Sequence, residues 1–149
     1  MEVKFKAVNQ KIGREIPLPQ FATAGSAAMD LHACVDAPVT LKAGERAVIP
    51  TGLAMALPSS GYVALVLARS GLGIKKGVCL SNGVGVIDSD YRGEIAVGLV
   101  NLSAEDYTVQ PGDRIAQLMV VPVVQPTISL VPELDDTDRG SGGFGSTGR

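Results

Sequence analysis

Glycine and proline punctuate this chain so often that it must be built from many turns joined by short elements. Eighteen glycines and nine prolines fall within 149 residues. The apolar stretches between them are short and rich in Val, Leu and Ile. Turn residues alternating with β-branched runs predict an all-β domain. Residues 1–7 alternate, with Val3, Phe5 and Ala7 on one side and Glu2, Lys4 and Lys6 on the other, which predicts a half-buried strand. Residues 39–57 read as two strands around Ala43-Gly44-Glu45, and residues 62–68 as a central strand. Arg69 to Gly77 leaves room for one helical turn. Residues 78–80 enter and residues 94–101 leave a polar turn region, and residues 107–124 form another turn and strand pair, with an edge or bend expected at Pro122.

One internal echo narrows the architecture. Thr40-Leu41-Lys42-Ala43-Gly44-Glu45-Arg46 resembles Thr108-Val109-Gln110-Pro111-Gly112-Asp113-Arg114. Both place Gly, an acid and Arg between apolar runs. Two related corners in a short β chain fit a sandwich or jelly roll, and are too few for a solenoid.

The length fits one domain. The chain is 46% hydrophobic but only 4% aromatic and has no Trp, so its core must be aliphatic. A net charge of −2 gives no basic surplus for long nucleic acid. No apolar stretch is long enough to span a bilayer, and Met-Glu-Val-Lys-Phe-Lys lacks the apolar core of a secretion signal. Cys34 and Cys79 make no disulfide framework and read as reduced small hydrophobes, which predicts a cytoplasmic location. With His32 as the one histidine, a structural zinc site lacks ligands.

The chemistry concentrates in Ser81-Asn82-Gly83-Val84-Gly85-Val86-Ile87-Asp88-Ser89-Asp90-Tyr91-Arg92-Gly93-Glu94. Asn-Gly is the strongest short signal for a tight β-hairpin turn. Two carboxylates flank Ser89, and Tyr91-Arg92-Gly93 predicts a second turn. Such a segment can hold a flat polar ring with its backbone beside a carboxylate, or be two solvated turns whose aspartates cap their own backbone. Arg69-Ser70-Gly71-Leu72-Gly73 offers an Arg fork, a hydroxyl and backbone N–H groups to phosphate, or is an ordinary strand-to-helix turn; the Walker ending is missing. Gln117 is a polar residue on an apolar strand. Asp30 follows a small-residue segment, Ala24 to Met29, where a ligand can approach the backbone closely. The tail from Arg139 to Arg149 has the composition of a flexible segment, yet carries arginines, hydroxyls and Phe144.

Taken together, five segments resemble the five motifs of the trimeric dUTP diphosphatases, the dUTPases, in family order. They are Ala24-Gly25-Ser26-Ala27-Ala28-Met29-Asp30-Leu31, Arg69-Ser70-Gly71-Leu72-Gly73, Gly85 to Glu94, Gly112-Asp113-Arg114-Ile115-Ala116-Gln117-Leu118 and Arg139 to Gly148. They cover nearly the whole chain. Ala68 replaces a frequent Pro and Ala28 a frequent Gly; neither change removes a chemical group.

The resemblance implies a distorted jelly-roll β-barrel or sandwich and a homotrimer whose active sites are shared between subunits. Residues 1–135 would form the core and residues 136–149 a flexible C-terminal lid. The implied reaction is Mg²⁺-dependent hydrolysis of dUTP to dUMP and diphosphate by water attack on the α-phosphorus. That reaction limits uracil incorporation into DNA and supplies dUMP for thymidylate synthesis. Asp88 would be the catalytic carboxylate, acting on the water and holding the 3′-OH. Asn82 and the backbone from Gly83 through Val86 to Ile87 would bind uracil. Tyr91 would pack beneath the deoxyribose and exclude a 2′-OH. Ala96 would contribute little beyond its backbone. Arg69, Ser70, Gly71 and Gln117 would hold the phosphates, and Asp30 would reach Mg²⁺ through water. Phe144 would stack on uracil, with Arg139, Ser146 and Thr147 on the γ-phosphate.

Two other readings remain in view. A dCTP deaminase shares the implied fold but needs a carboxylate at the base, and the tail here matches the dUTPase wording. A nucleotide sensor that binds without turnover is a different class. An intact Asp88 and a full phosphate set argue against it.

Overall fold

The computed structural model describes residues 1–143. Ten strands and one short helix follow in the order β1 (Lys4–Ala7), β2 (Met29–His32), β3 (Val39–Leu41), β4 (Arg46–Ala56), β5 (Tyr62–Leu67), α1 (Ser70–Lys76), β6 (Val78–Leu80), β7 (Gly85–Ile87), β8 (Glu94–Asn101), β9 (Tyr107–Val109) and β10 (Arg114–Pro122). One four-stranded sheet runs β1-β4-β8-β6, a second runs β2-β10-β5-β7, and β3 pairs with β9 alone. All of these pairings are antiparallel. The expected mostly-β chain is therefore present, with β5 in the interior of its sheet. No helix among the described residues is long and apolar enough to cross a membrane.

Alternation sets which face each strand buries. Along β8, Ile95, Val97 and Leu99 point into the core while Glu94 and Ala96 stay exposed. With Leu31, Leu41, Ile49, Ile115 and Leu118 these residues form an aliphatic core, as the near absence of aromatic residues requires. Asn101 is buried among them. Its Nδ2 donates to the Leu41 and Glu105 carbonyls at 2.9 and 2.7 Å, and its Oδ1 accepts from Ser103 N–H and Oγ. Its full hydrogen-bonding capacity is thereby used.

The repeated corner is real and detailed. In both copies the glycine has positive φ, 78° at Gly44 and 81° at Gly112. In both, the following acid accepts the N–H two residues before the glycine, Glu45 from Lys42 at 2.9 Å and Asp113 from Gln110 at 2.8 Å. Each corner is then clasped by a strand end. Gly44 N–H donates to Asn101 and Gly112 N–H to Ala33.

A bulge in β4 positions the return strand of the polar loop. The register against β8 slips between Pro50 and Ala54, and Gly52 takes φ of 72°. A Cβ there would lie 2.8 Å from Cys34 Sγ and 2.9 Å from Ile12. The freed Gly52 N–H is taken by Glu94 Oε1 at 2.7 Å, and Thr51 Oγ1 donates to Ile95 C=O at 2.6 Å. The bulge thus fixes Glu94, the first residue after the loop.

Two local expectations are corrected. Asn82-Gly83 makes no tight β-hairpin, because β6 pairs with β8 in one sheet and β7 with β5 in the other. Gly83 instead centres a three-residue turn, with φ of 74° and Val84 N–H on Asn82 C=O at 2.9 Å. The second turn lies at Asp88–Tyr91, closed by Tyr91 N–H on Asp88 C=O, rather than at Tyr91-Arg92-Gly93. At Pro122 the edge expectation holds locally: β2 partners β10 only from Arg114 to Leu118, so Pro122, paired with Tyr62 of β5, has no ladder neighbour on its other side.

Candidate active site

The segment from Ser81 to Glu94 bridges the two large sheets, and a cavity of about 280 Å³ forms beneath it. Asn82, Val86, Ile87, Asp88 and Tyr91 line one side, and Ala96 with Gly98 of β8 forms the other. Gly98 lets Ser81 approach β8 closely, since a Cβ there would meet Ser81 Oγ at 2.5 Å. Because β7 is the outermost strand of its sheet, one row of its backbone donors and acceptors has no ladder partner.

Tyr91 is fixed at two points. Its hydroxyl donates to Glu94 C=O at 3.1 Å. Its ring lies so close over Gly93 that any Cβ there would collide with the phenol oxygen. Arg92 braces the same turn, its Nη1 donating to the Ser89 and Tyr91 carbonyls at 2.8 and 2.9 Å. Asp88 is exposed at the cavity wall, while Asp90, also exposed, is not part of the lining.

A second cavity of about 270 Å³ is lined by Gln20, Ser26, Ala28, Asp30 and Gln117. Asp30 on β2 stands directly opposite Gln117 on β10. Its Oδ1 accepts from Arg69 Nε at 2.9 Å and its Oδ2 from Arg114 Nη1 at 3.2 Å. His32 lies on the same face. Burial pushes its imidazole below the ordinary value; Asp30 opposes that shift and Arg114 and Arg69 reinforce it. At neutral pH the ring therefore adds little positive charge to the cluster. Ser70 and Gly71 open α1 immediately after Arg69.

The two cavities share no lining residue, and strand direction keeps them apart. Ile87 pairs with Ala64, so Asp88 leaves towards the Tyr62 end of β5. Arg69 follows the opposite end, beyond Leu67. From Ala64 to Leu67 alone is roughly 10 Å of strand. One chain therefore brings Asn82, Asp88, Tyr91 and Ala96 together, and Asp30, Arg69 and Gln117 together, but does not join the two groups. Arg139 is exposed, its Nε on the Gly142 carbonyl at 3.1 Å within its own turn. Phe144, Ser146 and Thr147 lie outside the described residues.

Two contributors escaped the sequence reading. Glu94 and Arg114 both stand inside quoted motifs, but Gly52 by itself does not show that Glu94 fills its bulge, and nothing local marks the carboxylate that Arg114 meets. Among the described residues, no group of three or more His, Cys, Asp or Glu side chains can hold a metal ion.

The sequence profile of the dUTPase family matches residues 14–148. A deoxyuridine 5′-triphosphate nucleotidohydrolase of Idiomarina loihiensis is 53% identical over 148 residues, covering 99% of this chain and 98% of the relative. The protein of the same name from Aeromonas hydrophila is 50% identical over 148 residues, covering 99% and 97%. Among solved structures, a mutant dUTPase of Staphylococcus bacteriophage 80alpha with dUpNHpp superposes with a TM-score of 0.87 at 26% identity, covering 99% of each chain.

Proposed function

The chain belongs to the dUTPase family and hydrolyses dUTP to dUMP and diphosphate, and we propose that water directed by Asp88 attacks the α-phosphorus in a site completed only by a homotrimer. The observation that carries this reading is the separation just described. The base and sugar cavity is at the small end of ligand pockets, which start at about 300 Å³, and has no basic side chain in its lining. Arg69 follows the end of β5 opposite to the one that Asp88 approaches. A triphosphate spanning both groups needs the second one from a neighbouring copy. An apolar arm supports such an assembly: after Pro122 the chain carries no strand or helix among the described residues, yet Ile128, Leu130 and Leu134 are almost fully exposed. A jelly-roll description fits the two packed antiparallel sheets and paired corners.

In this reading uracil lies along the free edge of β7. Its acceptor–donor–acceptor pattern suits a strand's alternating N–H and C=O groups, with Asn82 beside it. Cytosine presents a different pattern and would leave buried groups unpaired. The deoxyribose rests on the Tyr91 ring, which its two anchors prevent from yielding to a 2′-OH. Asp88 orients the water, takes its proton and holds the 3′-OH. Arg69, Ser70, Gly71 and Gln117 receive the phosphates. Residues 136–149 close over the site, with Arg139, Phe144, Ser146 and Thr147 as contacts.

Mg²⁺ fits this residue set as a passenger on the nucleotide. Among the described residues no cluster of three or more His, Cys, Asp or Glu ligands forms a cage for it, and Asp30, with lone pairs left beside its two arginine contacts, can reach a metal-bound water. When bound, the ion neutralises phosphate charge. The remaining work falls to positioning by the protein. A cytoplasmic location belongs to the same reading, in keeping with two unpaired cysteines.

Hydrolysis in ¹⁸O-labelled water tests the point of attack. Attack at the α-phosphorus breaks its bond to the bridging oxygen, so the label is expected in dUMP and none in diphosphate. Label in diphosphate would contradict it.

A further inference from the structure

The double ion pair on Asp30 has a third side. Arg69 Nη1 donates to the backbone carbonyl of Arg114 at 3.0 Å, while Arg114 Nη1 donates to Asp30 and Arg69 Nε donates to Asp30. The three groups close a ring: Arg69 to Asp30, Asp30 to Arg114, and Arg114 back to Arg69. Arg69 and Asp30 are mostly buried, with side chains 20% and 18% exposed, and Arg114 covers them from the solvent side at 56%.

A bulge makes this ring geometrically available. Against β2, Arg114 pairs with His32 and Ala116 with Leu31, so Ile115 is an extra residue in β10. Without it, strict alternation would put Arg114 on the same face as Ala116 and Leu118, which are fully buried. With it, Ile115 turns into the core and Arg114 comes out on the face of Asp30 and Gln117. The chain thus spends a β irregularity on bringing one arginine to this cluster. The β2–β10 ladder already joins the two strands, so the ring is not needed to hold them.

We propose that Arg114 is a positioning residue for phosphate binding: its guanidinium holds Asp30 Oδ2 so that Oδ1 stays turned to Arg69 Nε, and the Arg69 fork is aimed before nucleotide arrives. The proposal rests on the reading of Arg69 as a phosphate ligand. An arginine side chain free to rotate loses that freedom on binding, whereas one already held by Nε and Nη1 does not. The gain appears as affinity for the triphosphate, not as chemistry.

The test is a double-mutant cycle on the full-length enzyme at saturating Mg²⁺, with Arg114→Ala, Arg69→Ala, the pair together, and Arg114→Lys. Arg114→Ala removes the side chain and keeps the carbonyl. It is expected to raise the KM for dUTP about tenfold with kcat within about twofold, and to add nothing further when Arg69 is already alanine. Arg114→Lys keeps the charge without the planar fork and should recover only part of the loss. A melting curve for each variant reports the fold separately. A lowered melting temperature with unchanged KM, or independent multiplying effects in the double variant, would overturn the proposal alone. An Arg69→Ala enzyme with wild-type KM would overturn both the proposal and the phosphate reading beneath it.

Discussion

Asp88→Asn is expected to lower dUTP turnover by about 10²- to 10⁴-fold, the usual contribution of a positioned general base, while dUpNHpp still binds within a few-fold of wild type. The amide has the shape of the carboxylate and can still accept from the 3′-OH, but cannot take a proton from water. The turn should survive unchanged, because backbone atoms and Arg92 hold it. Tyr91 N–H donates to the Asp88 carbonyl, and Arg92 donates to the Ser89 and Tyr91 carbonyls. Diphosphate release and calorimetric titration with dUpNHpp separate the two properties. Full activity would move the base elsewhere, and Asp90, exposed on the same turn, would be examined next.

Ending the chain before Arg139 is expected to reduce turnover about 10²-fold, the scale of losing substrate alignment, with the trimer intact. The last strand ends at Pro122, and Arg139 bonds only within its own turn among the described residues. Removing Arg139 therefore takes no hydrogen bond from the core among the described residues. The apolar arm with Ile128, Leu130 and Leu134 remains in the shortened chain. Sedimentation velocity should give the same species for both proteins. A truncated enzyme with normal rates would remove the lid from the account, whereas loss of the trimer would place the tail in assembly.

What was legible in the sequence follows from how local each feature is. The paired corners were readable because a turn's chemistry sits in four consecutive residues: glycine at positive φ, then an acid reaching back to a nearby N–H. Core aliphatics and the interior place of β5 were readable from their apolar runs. Asn82-Gly83 misled for the same reason that it was noticed. The dipeptide reports a reversal of the chain, but whether the flanking strands pair with each other is decided by distant partners, here β8 for one and β5 for the other. The β4 bulge carried a sign, a glycine inside a strand, whose meaning depended on Cys34, Ile12 and Glu94 from elsewhere in the chain. Arg114 was visible as part of a corner, yet its role depends on a one-residue slip against β2. The candidate site itself was legible only as five motifs in order. Which of them one chain assembles depends on strand direction, which composition does not encode.

In the proposed reading the loop from Ser81 to Glu94 selects both base and sugar. Supplying dUTP, UTP, dTTP and dCTP in turn with Mg²⁺ and following diphosphate release tests it most directly. Rapid release is expected from dUTP alone: UTP is blocked at the anchored Tyr91 ring, dTTP by its methyl group in the narrow loop, and dCTP by its mismatched edge. Equal rates on dUTP and UTP would contradict the account at its centre.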